Sequence, residues 1–352
     1  MKKKLLLPLL PMALLAGCFE DSGSDSVLNP GTDGGTGTSV FVVATDYKSY
    51  QVQKVQGTAV SDVYNVGNDA ALSVADSVLY VINRSKAVVT AYRGGIADAS
   101  HLVFQTSVGT GTNPYQVTKA GNKLYVTRFA VNSLLVLNPA TGDSIGSIDL
   151  SAFANKDGLV SPVQTEFVDG KLWILAQATT KSYGYDTARV LFADTGASRA
   201  SSAISLKLLN PQSMAVLSGK LYVSSRGTYD TVANAGIEVV DIATRTREKT
   251  LTGPMGYSKT GKLAVAAGKL WVVTNGAWPA ADFVPVNLST GALGTAVSGF
   301  SNIANLTSDG SHIWLSDRTD KTFAVVKIDP LTGAVLSSVK PVLKPDAIAV
   351  MP

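Results

Sequence analysis

Asn113-Pro114-Tyr115-Gln116-Val117-Thr118-Lys119-Ala120-Gly121-Asn122-Lys123-Leu124-Tyr125-Val126-Thr127 is the stretch from which the architecture can be read. Asn113-Pro114 opens a first strand over 115–120, Gly121-Asn122 is a tight turn of the kind that favours hairpins, and 123–127 reads as a second strand. A third strand is predicted over 133–137 and a fourth over 144–150. Tyr125, near the start of the second strand, has counterparts at Phe41, Tyr80, Trp173, Tyr222, Trp271 and Trp314. The successive spacings are 39, 45, 48, 49, 49 and 43 residues.

A period in the forties with four short strands per unit is the pattern of a propeller blade. Between the third and fourth strands stands Asn138-Pro139-Ala140-Thr141-Gly142, and related turns recur as Asn287-Leu288-Ser289-Thr290-Gly291, Asp329-Pro330-Leu331-Thr332-Gly333 and the shorter Asp194-Thr195-Gly196. In such turns an Asn or Asp side chain bonds backbone N–H groups ahead of it, Pro presets φ and Gly takes the left-handed position. The first aromatic marker has no first strand before it, but Pro345-Asp346-Ala347-Ile348-Ala349-Val350 at the other end of the chain supplies one. We therefore expect an all-β, seven-bladed β-propeller of four-stranded antiparallel blades over 39–352, closed by pairing of the C-terminal strand with 39–45. An open ring would leave two exposed sheet edges.

Leu124-Tyr125-Val126-Thr127 and Leu221-Tyr222-Val223-Ser224 resemble the motif of the YVTN-type seven-bladed propellers of bacterial and archaeal surface and periplasmic proteins. The resemblance covers about 39–352, and its motifs specify blades rather than a ligand.

The N-terminus reads as an address. Lys2, Lys3 and Lys4 precede a twelve-residue apolar stretch, Leu5 to Ala16, too short for a membrane-spanning helix of about 20 residues. Leu15-Ala16-Gly17-Cys18 resembles the lipobox of bacterial lipoproteins. That resemblance implies a signal peptide over 1–17, a lipid on Cys18 and membrane attachment through it. Phe19 in place of Asp implies the outer membrane, with the periplasmic and surface sides both open. Residues 18–38 form a Gly/Ser/Asp tether with almost nothing apolar, spanning about 25 Å as a flexible coil. Loss of the signal removes three positive charges and leaves +1 of the formal +4, with no basic run to track a nucleic acid. With the single cysteine lipidated, the body has no thiol for disulfides, nucleophilic catalysis or metal binding.

Three groups of residues are candidates for the site. Asn113, Ser161, Asn210, Asn302 and Asp346 begin first strands and should ring the channel mouth, either as a polar funnel or as turn caps. Arg84, Arg128, Arg226 and Arg318 follow second strands in four blades; they suit an anion, or pair with carboxylates such as Asp317, Asp320 and Asp230. The second-to-third-strand connections swell at about 178–188, 227–236 and 276–282, and carry Tyr183, Tyr185, Asp186, Tyr229, Asp230, Trp278 and Asp282. Aromatic rings among carboxylates suit a glycan or protein partner, or fold the loops onto the blades.

Enzymatic readings have less support. His101 and His312 share no local motif with Cys, Asp or Glu, and no zinc spacing, nucleophile elbow or phosphate loop occurs. The Trp that follows the Thr-Gly turn in quinoprotein propellers is missing after Gly142 and Gly333. No cofactor is implied; a Ca²⁺ ion has no motif behind it, and the metal question stays open. The expected function is non-enzymatic recognition or scaffolding in the bacterial envelope, with an envelope protein, peptidoglycan or glycan as partner and no nucleic acid. The alternatives are a hydrolase or lyase with a metal at the channel mouth, where Asp346, Glu166, Asn113 and His312 are candidates, and a scaffold for outer-membrane assembly.

Overall fold

The computed structural model describes residues 38–228, 231–252, 261–275 and 281–352. Cys18 and the signal and tether up to residue 37 lie outside the described residues, as do Tyr229, Asp230 and Trp278.

Seven antiparallel sheets follow one another along the chain. Blade 1 takes β1 (Ser39–Thr45), β2 (Tyr50–Gln56) and β3 (Ala59–Asn65). Blade 2 is β4 (Ala70–Ala75), β5 (Val78–Asn83), β6 (Val88–Arg93) and β7 (Leu102–Ser107); blade 3 is β8 (Pro114–Ala120), β9 (Lys123–Arg128), β10 (Ser133–Leu137) and β11 (Ser144–Asp149). Blade 4 is β12 (Pro162–Val168), β13 (Lys171–Ala176), β14 (Arg189–Asp194) and β15 (Ser202–Ser205). Blade 5 is β16 (Pro211–Leu217), β17 (Lys220–Thr228), β18 (Thr231–Asp241) and β19 (Thr246–Thr252). Blade 6 holds β20 (Leu263–Ala266), β21 (Lys269–Asn275) and β22 (Ala281–Val286), and blade 7 holds β23 (Ile303–Ser308), β24 (Ile313–Asp317), β25 (Ala324–Ile328) and β26 (Val335–Val339). The chain ends in β27 (Lys344–Met351), which pairs with β1 from Ser39↔Met351 to Thr45↔Lys344 and completes blade 1. The inner strands β27, β4, β8, β12, β16, β20 and β23 touch in that cyclic order, β23 meeting β27 again, so the ring is closed.

Blade 6 departs from the four-stranded pattern. Its fourth strand is reduced to one bridge, Val286↔Leu293, and to bonds from Gly294 N–H to Pro285 O and from Val297 N–H to Phe283 O, both 2.9 Å. Pro285 sits within β22 and has no N–H to offer a regular fourth strand.

The spacing of the aromatic markers has a direct physical cause. Seven hydrophobic clusters occupy the seven junctions between neighbouring blades, and every marker lies in the cluster toward the next blade. In β5, Leu79 and Val81 pack toward blade 1 while Tyr80 and Ile82 pack toward blade 3. The second strand is buried on both faces, and its sequence is therefore almost continuously apolar. All seven markers are buried. Tyr125 Oη donates to Thr195 O at 2.7 Å and Trp271 Nε1 to Pro330 O at 3.2 Å, so ring and turn of adjacent blades are tied together. Gly95, at φ 68°, lies under the ring of Phe41, and a Cβ there would fall inside that ring. The three long third-to-fourth turns share one geometry: Gly142, Gly291 and Gly333 N–H donate to Asn138, Asn287 and Asp329 O, each at 2.8 Å.

Each inner strand is a sheet edge with backbone groups facing the channel. Side chains of the preceding blade satisfy several of them. Gln116 Oε1 accepts Thr165 N–H at 2.6 Å, Gln164 Oε1 accepts Met214 N–H at 2.8 Å, and Ser213 Oγ accepts Leu263 N–H at 3.3 Å. Gln164 Nε2 also donates to Met214 O at 2.8 Å, and Ser73 Oγ accepts Val117 N–H at 3.1 Å. Gln164→Leu keeps the approximate volume and removes both bonds to Met214; it should cost about 1–3 kcal/mol in urea unfolding. An unchanged midpoint would mean that water replaces the amide.

Candidate functional site

The connections from fourth to first strand and from second to third strand share one face, as expected. Asn155, between β11 and β12, donates from Nδ2 to Ala178 O at 3.1 Å and to Thr179 O at 2.8 Å in the loop after β13. Glu238 on β18 accepts the N–H groups of Lys207 at 2.9 Å and Leu208 at 3.0 Å on the way into β16. Glu238 is fully buried and is balanced by Arg247 Nε at 2.5 Å.

At the channel mouth Asn113, Ser161 and Asn210 have positive φ of 49°, 55° and 58°, each just before a proline that starts a first strand. Their carbonyls accept N–H groups from Phe129, Gln177 and Arg226, all at 3.0 Å, and Asn302 O accepts Arg318 N–H at 2.8 Å. Asn210 Nδ2 donates to Gly227 O at 3.2 Å, and the Ser161 and Thr179 hydroxyls meet at 2.5 Å. These four residues therefore brace the entry to the inner strands. Asp346 lines the channel itself.

The structure separates the four arginines into two groups. Arg84 follows Asn83, which is opposite Ala70; Arg226 follows Ser225, opposite Pro211; Arg318 follows Asp317, opposite Ile303. Arg128 instead stands one place earlier, itself opposite Pro114. Successive strand residues point to opposite faces, and Arg128 turns to Val108 O at 3.2 Å and Ser133 Oγ at 2.6 Å, where burial lowers its pKa. The other three reach the next blade's inner strand. Arg84 lies 4.0 Å from the Tyr115 ring centroid and bonds Asn113 Oδ1 at 3.2 Å and Asp69 Oδ1 at 3.0 Å. Arg318 bonds Asp346 Oδ1 at 2.9 Å and stands 4.7 Å from the centroid of Tyr47. Arg226 runs along Gly261, where a Cβ would come 3.1 Å from its Cγ.

The inner strands enclose a cavity of about 710 Å³ whose wall includes Asp69, Arg84, Glu166, Gln212, Lys262 and Asp346. Sequence reasoning gave Glu166 only a passing place and missed Lys262; the available signal was a single charge within the apolar run of β12 and one immediately before that of β20. Glu166 is opposite Trp173 in the channel wall and accepts Gln164 Nε2 at 2.8 Å. Enclosure by protein raises its carboxyl to about 7, although part of the side chain still meets water in the channel. Among the described residues Lys262 Nζ reaches Gln212 O alone, at 3.4 Å; burial and then the charges of Arg84 and Arg226 lower it to about 8. Among the described residues no three His, Cys, Asp or Glu side chains converge as a metal site. His101 bonds Asp98 at 2.8 Å on the hairpin between β6 and β7, and His312 sits on the turn between β23 and β24, away from the mouth.

Of the long-loop residues, Tyr183 is 94 % exposed at φ 61°, while Tyr185 and Asp186 are half-buried. Their loop is held by the bridge Thr179↔Tyr185, by Thr180 N–H to Gly184 O at 2.9 Å and by Lys181 N–H to Asp157 Oδ2 at 3.0 Å. The blade 5 connection is largely a continued hairpin, since β17 runs to Thr228 and β18 begins at Thr231. Asp282 is half-buried on β22 opposite Thr274.

No family model and no curated protein matches the chain. Solved structures do. A protein of Bacteroides fragilis proposed to be a 6-phosphogluconolactonase is 14% identical, with 90% of this chain and 98% of that one covered at a TM-score of 0.63. The periplasmic gluconolactonase PpgL of Pseudomonas aeruginosa is 15% identical, with coverages of 90% and 99% and a TM-score of 0.62. Apo AztD of Citrobacter koseri is 13% identical, with coverages of 89% and 98% and a TM-score of 0.53. At such identities the likeness establishes the fold, a seven-bladed β-propeller, and leaves the chemistry to the residues.

The raised pKa of Glu166 makes stability depend on pH. The folded form holds the proton more tightly, so the carboxyl's stabilising contribution is intact below about 4.5 and is lost as pH rises through about 7. Glu166→Gln removes that loss, and relative to wild type it should gain at most about 3 kcal/mol between those limits in urea melts, less in proportion to the channel water that reaches the side chain. A difference that does not vary with pH would place the carboxyl in bulk water.

Proposed function

We propose that this propeller is a non-enzymatic recognition module of the bacterial cell envelope. A lipid on Cys18 anchors it, most simply in the outer membrane, and it holds an envelope partner, a cell-wall glycan first among them, on the face of the second-to-third-strand loops. The observation that carries the reading is Tyr183: a ring 94 % exposed on a loop pinned by its own backbone bonds and by Asn155 and Asp157. A pre-ordered aromatic surface loses little entropy on binding. The flat face of a tyrosine suits the apolar face of a sugar ring, and Asp186 in the same loop can accept from hydroxyls. An assembly scaffold would use the same face and anchor.

Tyr183→Ala should abolish sedimentation of the purified protein with insoluble peptidoglycan while leaving its melting temperature unchanged, because an exposed side chain contributes little to stability. Equal sedimentation of variant and wild type would overturn the loop-face reading. Cys18→Ser should move the protein from the membrane fraction to the soluble fraction of cells; continued membrane association would overturn the lipid anchor. A catalytic reading is favoured by Glu166, a carboxyl in the channel with a pKa of about 7, and by the gluconolactonase names of two structurally similar proteins. Opening of a sugar lactone by the protein, lost in Glu166→Gln, would replace the binding-only reading.

A further inference from the structure

Along the channel wall one register position is used in the same way by blades 3, 4 and 5. Thr118, Glu166, Ala215 and Ala264 stand opposite the markers Tyr125, Trp173, Tyr222 and Trp271. Two places before them lie Gln116, Gln164, Ser213 and Lys262. The first three accept a backbone N–H from the inner strand of the following blade. Lys262 cannot, because an ammonium has three donors and no acceptor. The corresponding N–H in blade 7, that of Leu306, bonds instead to Asn305 Oδ1 of its own strand, at 2.9 Å. Blade 6 thus makes no such bond to blade 7 and places a cation at the channel. The equivalent residues of blades 1, 2 and 7 are Ala347, Ala71 and Asn305, none of which bonds the next blade in this way, so Lys262 is distinguished by the charge it brings to the channel.

That cation is poorly compensated. Among the described residues no carboxylate lies within ion-pair distance of Lys262, and the long bond to Gln212 O is its one hydrogen bond. The carboxylates of the cavity wall are engaged elsewhere: Asp69 with Arg84, Asp346 with Arg318, and Glu166 with Gln164. The charges that act on Lys262 are Arg84 and Arg226, both of its own sign. Holding a half-buried ammonium without a counter-charge is costly, and an arriving anion would offset that cost while gaining charge-assisted hydrogen bonds.

We propose that Lys262 anchors an anion site in the channel, with Arg84 adding to its field, and that the site takes the carboxylate or phosphate group of a small ligand. The cavity of about 710 Å³ is of the size that holds such a molecule. This site is separate from the loop face and does not depend on Tyr183.

The test is calorimetric titration of the purified protein with inorganic phosphate, glucose 6-phosphate, glucuronate and neutral glucose. At least one anion should bind and glucose should not; phosphate and glucuronate separate the two oxyanion sources. Lys262→Gln, which restores the amide found at Gln116 and Gln164, should weaken anion binding at least about tenfold without lowering the melting temperature. Lys262→Arg should keep the binding. Wild-type affinity should fall as pH rises through about 8, where Lys262 loses its proton, and the Arg variant should fall less. The other charged groups around the cavity are Arg84, Arg226, Arg318, Asp69, Asp346 and Glu166; Glu166 gains its charge through about 7 in wild type and Arg variant alike, so the fall that belongs to Lys262 is the difference between the two. Tyr183→Ala should leave the titrations unchanged, so the channel and loop readings can fail separately. No binding by any anion, equal binding of glucose, or full affinity in Lys262→Gln would overturn the proposal.

Discussion

Every blade of this protein ends at the channel in a strand with no further strand beside it, and those backbone groups must be satisfied without one. The answer is lateral: side chains on the inner strand of one blade reach the backbone of the next. Gln116 and Gln164 do so with amides, Ser73 and Ser213 with hydroxyls. The same residues therefore hold the ring and line the cavity. A residue at such a position can bond the next blade or carry a charge into the cavity, and Lys262 carries a charge.

The ring is held a second way at larger radius. Each blade junction has its own apolar cluster, led by an aromatic residue of the second strand that packs toward the following blade. These contacts are numerous and directionless, so they set the blade repeat without specifying a ligand. The hydrogen-bonded inner ring is sparse and directional. A change of one residue there alters the charge of the cavity, whereas an exchange among large apolar residues in a junction leaves it unaltered. Glu238, fully buried and balanced by Arg247, shows the outer structure dealing with a charge completely; Lys262 in the channel has no such partner among the described residues.

Much of this was legible in the linear pattern. The aromatic spacing, the Asn/Asp-to-Gly turns and the resemblance of 345–350 to 114–117 predicted the blades and their closure, and β27 pairs with β1 accordingly. The irregular fourth strand of blade 6 was not foreseen, although Pro285 gave the clue. The arginines were grouped by nearness to a strand end, and that rule fails by a single residue at Arg128: alternation along a strand sends neighbours to opposite faces, and the pairing partner, invisible in sequence, decides which face. The loop aromatics were legible as a set, but the exposure of Tyr183 beside the half-buried Tyr185 depends on the bonds of their own loop.

By itself the sequence determined the number of blades, the direction of chain closure and the residues that fill the blade junctions, because these follow from periodicity and from local turn chemistry. Only the tertiary structure decided which polar side chains are spent on the neighbouring backbone and which remain available in the channel. The first class of information is local and repeats with the chain. The second depends on contacts between residues some fifty positions apart, as between Gln164 and Met214, and on a charge balance that exists only once the blades surround a common cavity.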